Sequence, residues 1–429
     1  MKVLWTVNLP FPEMVEHITK RKTAYCTQSW LEALIAEFSK QNNLEVMVVA
    51  PMITDKIYKK KSGNIQHYII PVKKGEMKYF PIKKNTQILI QEVISDFQPD
   101  IIHIHGTEFT HSLFVAKLKN NIPKVVSVQG IIEICARRYL GDILPLEFIR
   151  NRRIADFKYG GVLEIKRQFR KRAKYERELI DSIHNVIGRT DWDHAFVKAV
   201  NPEARYFHCE EAMRKPFFEG DKWDISKIQR HTVIAAAAYY PIKGFHMLLH
   251  AASILKNRYP DLIIKVLGPN ILEKKTFKQK ILQSDYSAYL EGLIKKYDLQ
   301  QNISFIGTLS AAELARVMAM SHTLVVPSIV ENGSNTLAEA MLTGLPCVAS
   351  SSGGMMTTIS HKETGLLYSF GDYELLAYYV SMLWDNDKLA FNISEKAKII
   401  SNERYAAETV CRNTLEIYKE VINNSFITA

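Results

Sequence analysis

Two doubly wound α/β domains are what this sequence predicts, and three observations predict them. At 429 residues the chain exceeds what a single hydrophobic core usually supports, so two domains of roughly 200 residues are the default. Short β-branched runs alternate with helical patterns, the signature of parallel sheets with crossover helices. The alternation breaks once, in the polar stretch RKPFFEGDKWDISKIQ around residues 214–230, and then restarts. A hydrophobic fraction of 47% is ample for two cores.

The strands follow in order. KVLWTVN, LEVMVVAP, QHYIIPV, DIIHIHG, KVVSVQG and HNVIGRT read as buried strands of the first domain, with CTQSWLEALIAEFSK and TQILIQEVISDF as helices between them. HTVIAAAA, LIIKVLGP, ISFIGTL, HTLVVPS, PCVAS and TGLLY repeat the rhythm in the second. The expected division is a Rossmann-like domain over 1–213, a linker over 214–230, a second Rossmann-like domain over 231–403, and a C-terminal helix over 404–429 returning to the first domain. Two such units predict a cleft between the carboxyl ends of two sheets, where sheets of this type bind ligands.

No apolar run approaches the roughly 18 to 20 residues that cross a bilayer. The start MKVLWTVNLPFPEMVEH lacks a signal peptide's long apolar stretch, and a cytoplasmic protein is expected. Cys26, Cys135, Cys209, Cys347 and Cys411 are odd in number and scattered, against a disulfide framework or a zinc site. The net charge of +11 is uneven: residues 1–210 hold 33 Lys and Arg against 23 Asp and Glu, and residues 211–429 hold 23 against 22. Arg150, Arg152, Arg153, Lys166, Arg167, Arg170, Lys171, Arg172, Lys174 and Arg177 crowd one segment. Leu163, Phe169 and Leu179 punctuate its second part, giving either a basic helix for an anionic membrane or a solvated charged face. Nucleic acid is not an expected partner, since no recognition motif accompanies the charge.

Residues 322–354, HTLVVPSIVENGSNTLAEAMLTGLPCVASSSGG, carry the most chemistry. A strand ends at Pro327-Ser328, and Ser334, Asn335 and Thr336 are N-cap candidates for the helix TLAEAML. Backbone N–H groups and the helix dipole make an anion site near Gly333 to Thr336. Glu331 precedes that site and Glu339 follows it. A ligand with phosphate in its middle would set a hydroxyl-rich end beside each carboxylate, the order of groups in a nucleotide sugar.

Glu331-x7-Glu339, Ala340-Met341, Gly344-x-Pro346 and Gly353-Gly354 resemble the donor-site signature of the retaining glycosyltransferases of family 4, which have the GT-B fold. PDIIHIHG at 99–106, YYPIKGFHMLLHAASIL at 240–255, LIIKVLGPN at 262–270, ISFIGTLSAAEL at 303–314 and ETGLLY at 363–368 extend the resemblance over nearly the whole chain. It implies that Lys243 contacts the donor diphosphate, Glu339 binds ribose and Glu331 orients the transferred sugar. Gly333, Ser334 and Asn335 would set the loop and helix start against the phosphates. His105 matches a family histidine and becomes a third catalytic candidate; Gln129 stands where relatives carry a histidine and is left an orienting hydrogen bond.

Two departures stand out. The arginine usual about five residues before the lysine is absent from Ala237-Ala238-Tyr239-Tyr240, and Arg189 is the candidate replacement. The loop after the first strand lacks glycine, which puts donor contacts beyond Asn8 in doubt. Asp191-Trp192-Asp193 mimics a metal-binding Asp-x-Asp but reads better as a helix start, so no metal is expected. The resemblance implies a metal-independent transferase with a UDP-sugar favoured over a GDP-sugar, acting on a glycan or lipid-linked acceptor in surface polysaccharide assembly, at the inner face of the membrane. The alternatives are a non-catalytic nucleotide-sugar or carbohydrate-binding protein and a GT-B epimerase or phosphorylase.

Overall fold

A computed structural model describes every residue except 22–28, 77–80, 237, 274–282 and 426–429; Cys26 and Ala237 therefore lie outside the described residues. Contacts divide the chain into two compact units. The first joins Met1–Glu133, Arg170–Arg214 and Arg404–Ala429, and the second joins Ile134–Phe169 and Lys215–Glu403.

The first unit holds β1 (Lys2–Thr6), β2 (Glu45–Ile53), β3 (Tyr58–Ser62), β4 (Ile65–Val72), β5 (Ile101–His105), β6 (Lys124–Ser127), β7 (Asn185–Gly188) and β8 (Arg205–His208). They form one eight-stranded sheet in the order β3-β4-β2-β1-β5-β6-β7-β8. All neighbours are parallel except β3 and β4. Val3, Leu4 and Trp5 of β1 are all fully buried, because crossover helices cover both faces and the strand must be apolar throughout. The C-terminal helix Ala407–Ser425 belongs to this unit. Its Tyr418 hydroxyl accepts a 2.9 Å hydrogen bond from the Trp5 indole.

The second unit holds β9 (Thr232–Ala235), β10 (Ile263–Val266), β11 (Ile303–Phe305), β12 (Thr323–Val326), β13 (Cys347–Ser350) and β14 (Leu366–Tyr368). This six-stranded sheet runs β11-β10-β9-β12-β13-β14 and is parallel throughout. Ile234 is paired with Lys265 on one side and Leu324 on the other. In each sheet the strand order reverses at one place, between β1 and β5 and between β9 and β12, and such reversals open a crevice at the strands' carboxyl ends.

The structure adds two strands to those expected. β3 has the sequence YKKKS and β8 the sequence RYFH; both are sheet edges, where one side needs no apolar cover. Residues 134–169, assigned above to the first domain, group with the second unit. There His246 Nε2 meets the Gly141 carbonyl at 2.8 Å and the Val162 amide donates to Asp285 at 2.9 Å. From Lys215 on, the expected linker is built into the second unit: Trp223 is buried, its amide donates to the Thr343 carbonyl and its indole to the Ser321 carbonyl. Cys135, Cys209, Cys347 and Cys411 are free thiols. Among the described residues, no helix is long and apolar enough to cross a membrane.

Candidate functional site

In the second unit, the chain leaving β9 makes a 3-10 turn over Pro241–Lys243 and enters the helix Phe245–Arg258 through Gly244, whose φ is +69°. A side chain at Gly244 would put its Cβ 1.7 Å from the Pro327 carbonyl oxygen. Only glycine therefore lets this turn lie against the end of β12. The Ile329 amide donates to the Ile242 carbonyl at 2.9 Å, joining the loops after β9 and β12.

The loop after β12 is also tied to the segment after β13. The Ser328 carbonyl accepts from the hydroxyls of Ser350 and Ser352. The Glu331 carbonyl accepts from the Gly354 amide at 2.9 Å. Gly353 has φ +60°, and a Cβ there would lie 2.0 Å from that same carbonyl oxygen. Three loops thus converge with no room for adjustment.

They hold Lys243 and Glu331 together: the ammonium donates to Glu331 Oε2 at 2.7 Å. The side chains are 30% and 16% exposed, so both remain reachable from solvent. Burial alone would lower the Lys243 pKa, but the Glu331 carboxylate outweighs it and raises the pKa above the usual lysine value. Lys243 is thus a permanent cation. Immediately beyond, Ser334 caps the helix Asn335–Thr343 and accepts from the Leu337 amide. Gly333, Asn335 and Thr336 are half-buried, and the first helical amides have no intrahelical acceptor. Glu339, in the second turn, is only 3% exposed. A cation and a helix N-terminus, with a carboxylate on either side at the strand-order reversal, supply the donors and acceptors that an anion bearing hydroxyls on either side would need.

Residues 221–399 match the family model of glycosyl transferases group 1. An uncharacterized glycosyltransferase of Haemophilus influenzae is 26% identical over 187 residues, covering 43% of this chain and 48% of that protein. The chain thus spans about half the length of the curated relatives it matches. Sucrose-phosphate synthase from Thermosynechococcus elongatus superposes with a TM-score of 0.70 at 15% identity, over 99% of this chain and 100% of that one. Anabaena HepE in complex with UDP-glucose gives 0.66 at 15% identity, over 98% and 100%. At such identities the likeness establishes the fold, which is GT-B.

The matched stretch thus contains Lys243, Glu331, Gly333, Ser334, Asn335, Thr336 and Glu339. The other expected site residues, His105, Gln129 and Arg189, lie in the first unit. His105 is 3% exposed, with its ring 4.5 Å from Trp5 and 3.7 Å from His103. Burial, then the neighbouring His103, drives its pKa well below the ordinary value. Its Nε2 is buried without a hydrogen-bond partner. The ring is thus neutral and interior. His103 bridges the Tyr418 and Ser127 hydroxyls.

Arg189 is 7% exposed and forms an ion pair with Glu211; it also donates to the Gln129 carbonyl at 3.3 Å. The guanidinium proposed for a phosphate is therefore engaged by a carboxylate of its own unit. Gln129, His105 and Arg189 share the wall of a small cavity of about 40 Å³, enough for water but not a sugar. In the missing arginine's region, the Tyr239 hydroxyl stands where a Cβ on Gly268 would fall.

Asp193 explains the Asp-x-Asp: it forms a capping box with Thr190 and accepts from the Arg189 amide at 3.1 Å. Among the described residues, no group of three or more His, Cys, Asp or Glu could hold a metal ion. Sequence reasoning missed Glu108. Its carboxylate accepts from the Asn8 amide nitrogen at 2.9 Å, bridging the reversal between β1 and β5 as Lys243 and Glu331 bridge the other. Its signal was its place two residues beyond Gly106.

Proposed function

We propose that the chain is a retaining glycosyltransferase that moves a sugar from a nucleotide-sugar donor to a glycan or lipid-linked glycan acceptor in surface polysaccharide assembly. The observation that carries this reading is the Lys243–Glu331 pair, 2.7 Å apart, at the start of the helix Asn335–Thr343. Binding replaces this pair with two substrate contacts. Lys243 and the first helical amides take the diphosphate, Glu331 takes sugar hydroxyls, and Glu339 takes the ribose diol. As the glycosidic bond breaks, charge grows on the diphosphate, where a fixed cation and helix dipole stabilise the transition state more than the ground state. The acceptor hydroxyl then bonds to the anomeric carbon from the face the diphosphate leaves and gives its proton to the departing diphosphate oxygen. No step needs a metal ion.

A UDP-sugar is the donor favoured by this reading over a GDP-sugar, and HepE complexed with UDP-glucose supports it. The test is a thermal-shift panel of UDP-, GDP- and ADP-sugars followed by turnover of the best ligand in EDTA. Stabilisation by one nucleotide class, with turnover surviving EDTA and the anomeric configuration kept, is expected. Binding without turnover would make the chain a binding protein, and recovery only with manganese would overturn the metal-free step.

A further inference from the structure

We propose that residues 144–158 form a membrane-docking surface that seats apolar side chains in an anionic bilayer. The inference rests on the proposed function for the acceptor's location, and on the surface itself for the contact. The segment LPLEFIRNRRIADFK folds as two short helices, Pro145–Arg150 and Ile154–Tyr159. Phe148 and Ala155 face inward and are buried, which anchors both helices to the second unit. The outward side should then be polar. Instead Leu144, Leu146, Ile149, Ile154 and Phe157 are 68%, 48%, 56%, 70% and 76% exposed, and Phe157 and Ile154 are the two most exposed large apolar residues among those described. Apolar residues on both sides of a surface helix imply a second apolar environment.

The charges say which one. Arg150, Arg152, Arg153 and Lys158 are exposed on the same segment, and the Arg152 guanidinium lies over the Phe157 ring at 4.5 Å. Asp156 is turned inward, 3% exposed, and accepts from the Arg153 and Asp285 amides. Glu147 pairs with Arg150 and Glu164 with Arg152. Apolar side chains ringed by cations match the boundary between acyl chains and anionic headgroups. A second copy of the chain fits poorly, since a two-fold contact would bring these same cations against one another.

The basic segment 150–177 is thereby narrowed to its part before the helix Val162–Asp181. On that helix Arg172 donates to the Glu108 carbonyl and Arg177 pairs with Glu133. Among the described residues, the helix exposes no large apolar side chain.

Vesicle co-sedimentation of the intact chain tests the proposal, on phosphatidylglycerol-containing against pure phosphatidylcholine vesicles at low and high salt. Binding is expected on the anionic vesicles, weakening with salt. The double variant Ile154→Ser/Phe157→Ser should lower it at least about tenfold, and Arg150→Gln/Arg153→Gln/Lys158→Gln by roughly tenfold with a reduced salt dependence. Arg167→Gln/Arg170→Gln/Lys171→Gln/Lys174→Gln should change it less than about threefold. These side chains are exposed or half-buried, so thermal melting should show every variant folded. Wild-type binding by the Ile154/Phe157 variant, stronger loss in the Arg167 set, or a light-scattering dimer abolished by the Ile154/Phe157 changes would overturn it. The donor thermal shift, read on the same variants, is expected to be unchanged; its absence in every variant and in the wild type would sink the donor reading and leave the docking result standing.

Discussion

The two strand-order reversals are built on one plan with opposite outcomes. Between β9 and β12 the bridging pair is Lys243 and Glu331, both partly exposed, on loops fixed by glycine-carbonyl contacts. Between β1 and β5 the bridging pair is Asn8 and Glu108; burial raises the Glu108 pKa, and the neighbouring His105 and Arg189 are enclosed. One reversal carries a cation, Lys243, paired with its carboxylate. The other carries a neutral amide in that place, and buried polar atoms there, Asn8 Oδ1 and His105 Nε2, have no hydrogen-bond partner. The difference teaches that topology marks where a ligand can bind, while the charge the bridging pair carries decides whether that place is equipped for an anion.

The strongest test of this contrast is to add one methyl group at each reversal. Gly244→Ala must move the Pro327 carbonyl, and Gly353→Ala must move the Glu331 carbonyl; each also carries a positive φ that costs roughly 1 to 2 kcal/mol. Both should lower donor-dependent turnover by about two orders of magnitude or more, since a displacement of about 1 Å misaligns the site. Gly106→Ala, also at positive φ, meets the side-chain ends of Glu108 and Asn8 instead. It should lower melting temperature but leave donor affinity within about threefold. If Gly106→Ala weakened donor binding as much as Gly244→Ala, both reversals would have to hold the donor.

A smaller effect separates charge from geometry. Lys243→Ala removes a charge-assisted contact of about 1.5 to 3 kcal/mol, which is roughly ten- to a hundredfold in kcat/KM, with the fold retained. Unchanged steady-state kinetics would remove Lys243 from the donor site. His105→Phe keeps an aromatic ring beside Trp5 and the small cavity, so activity should stay within about threefold. A thirtyfold loss would restore His105 to catalysis.

Much of this was legible in the sequence, and what was not has physical reasons. The central strands announce themselves because burial on both faces demands continuous β-branched runs, as in KVLWT and IIHIH. YKKKS and RYFH do not, since an edge strand can be stabilised by one neighbour and solvent. Lys243 and Glu331 were singled out through the family resemblance, and the fold brings the two side chains together. The Arg189–Glu211 pair was not legible, because two loops 22 residues apart meet through folding around β8. Residues 134–169 were misplaced for the same reason: their partners, Asp285 and His246, lie more than a hundred residues along the chain.

The last test concerns the closed reversal. Glu176 accepts from the Thr107 hydroxyl at 2.7 Å and the Glu133 amide at 2.9 Å, and it is fully buried. Burial pushes its pKa up to about 7 from 4.5, against the pull of those donors. The folded chain therefore holds this proton more tightly than the unfolded chain. The associated stabilisation is fully present below about pH 4.5 and is lost as pH rises through about 7, on the order of 3 kcal/mol across the window. Glu176→Gln keeps the shape, can accept from the Glu133 amide and donate to Thr107, and does not titrate. Melting curves at pH 5 and pH 8 should show the variant gaining on the wild type by several degrees at the higher pH. An equal difference at both values would mean that Glu176 keeps one protonation state throughout this range, and that burial and its donors do not balance near neutral pH.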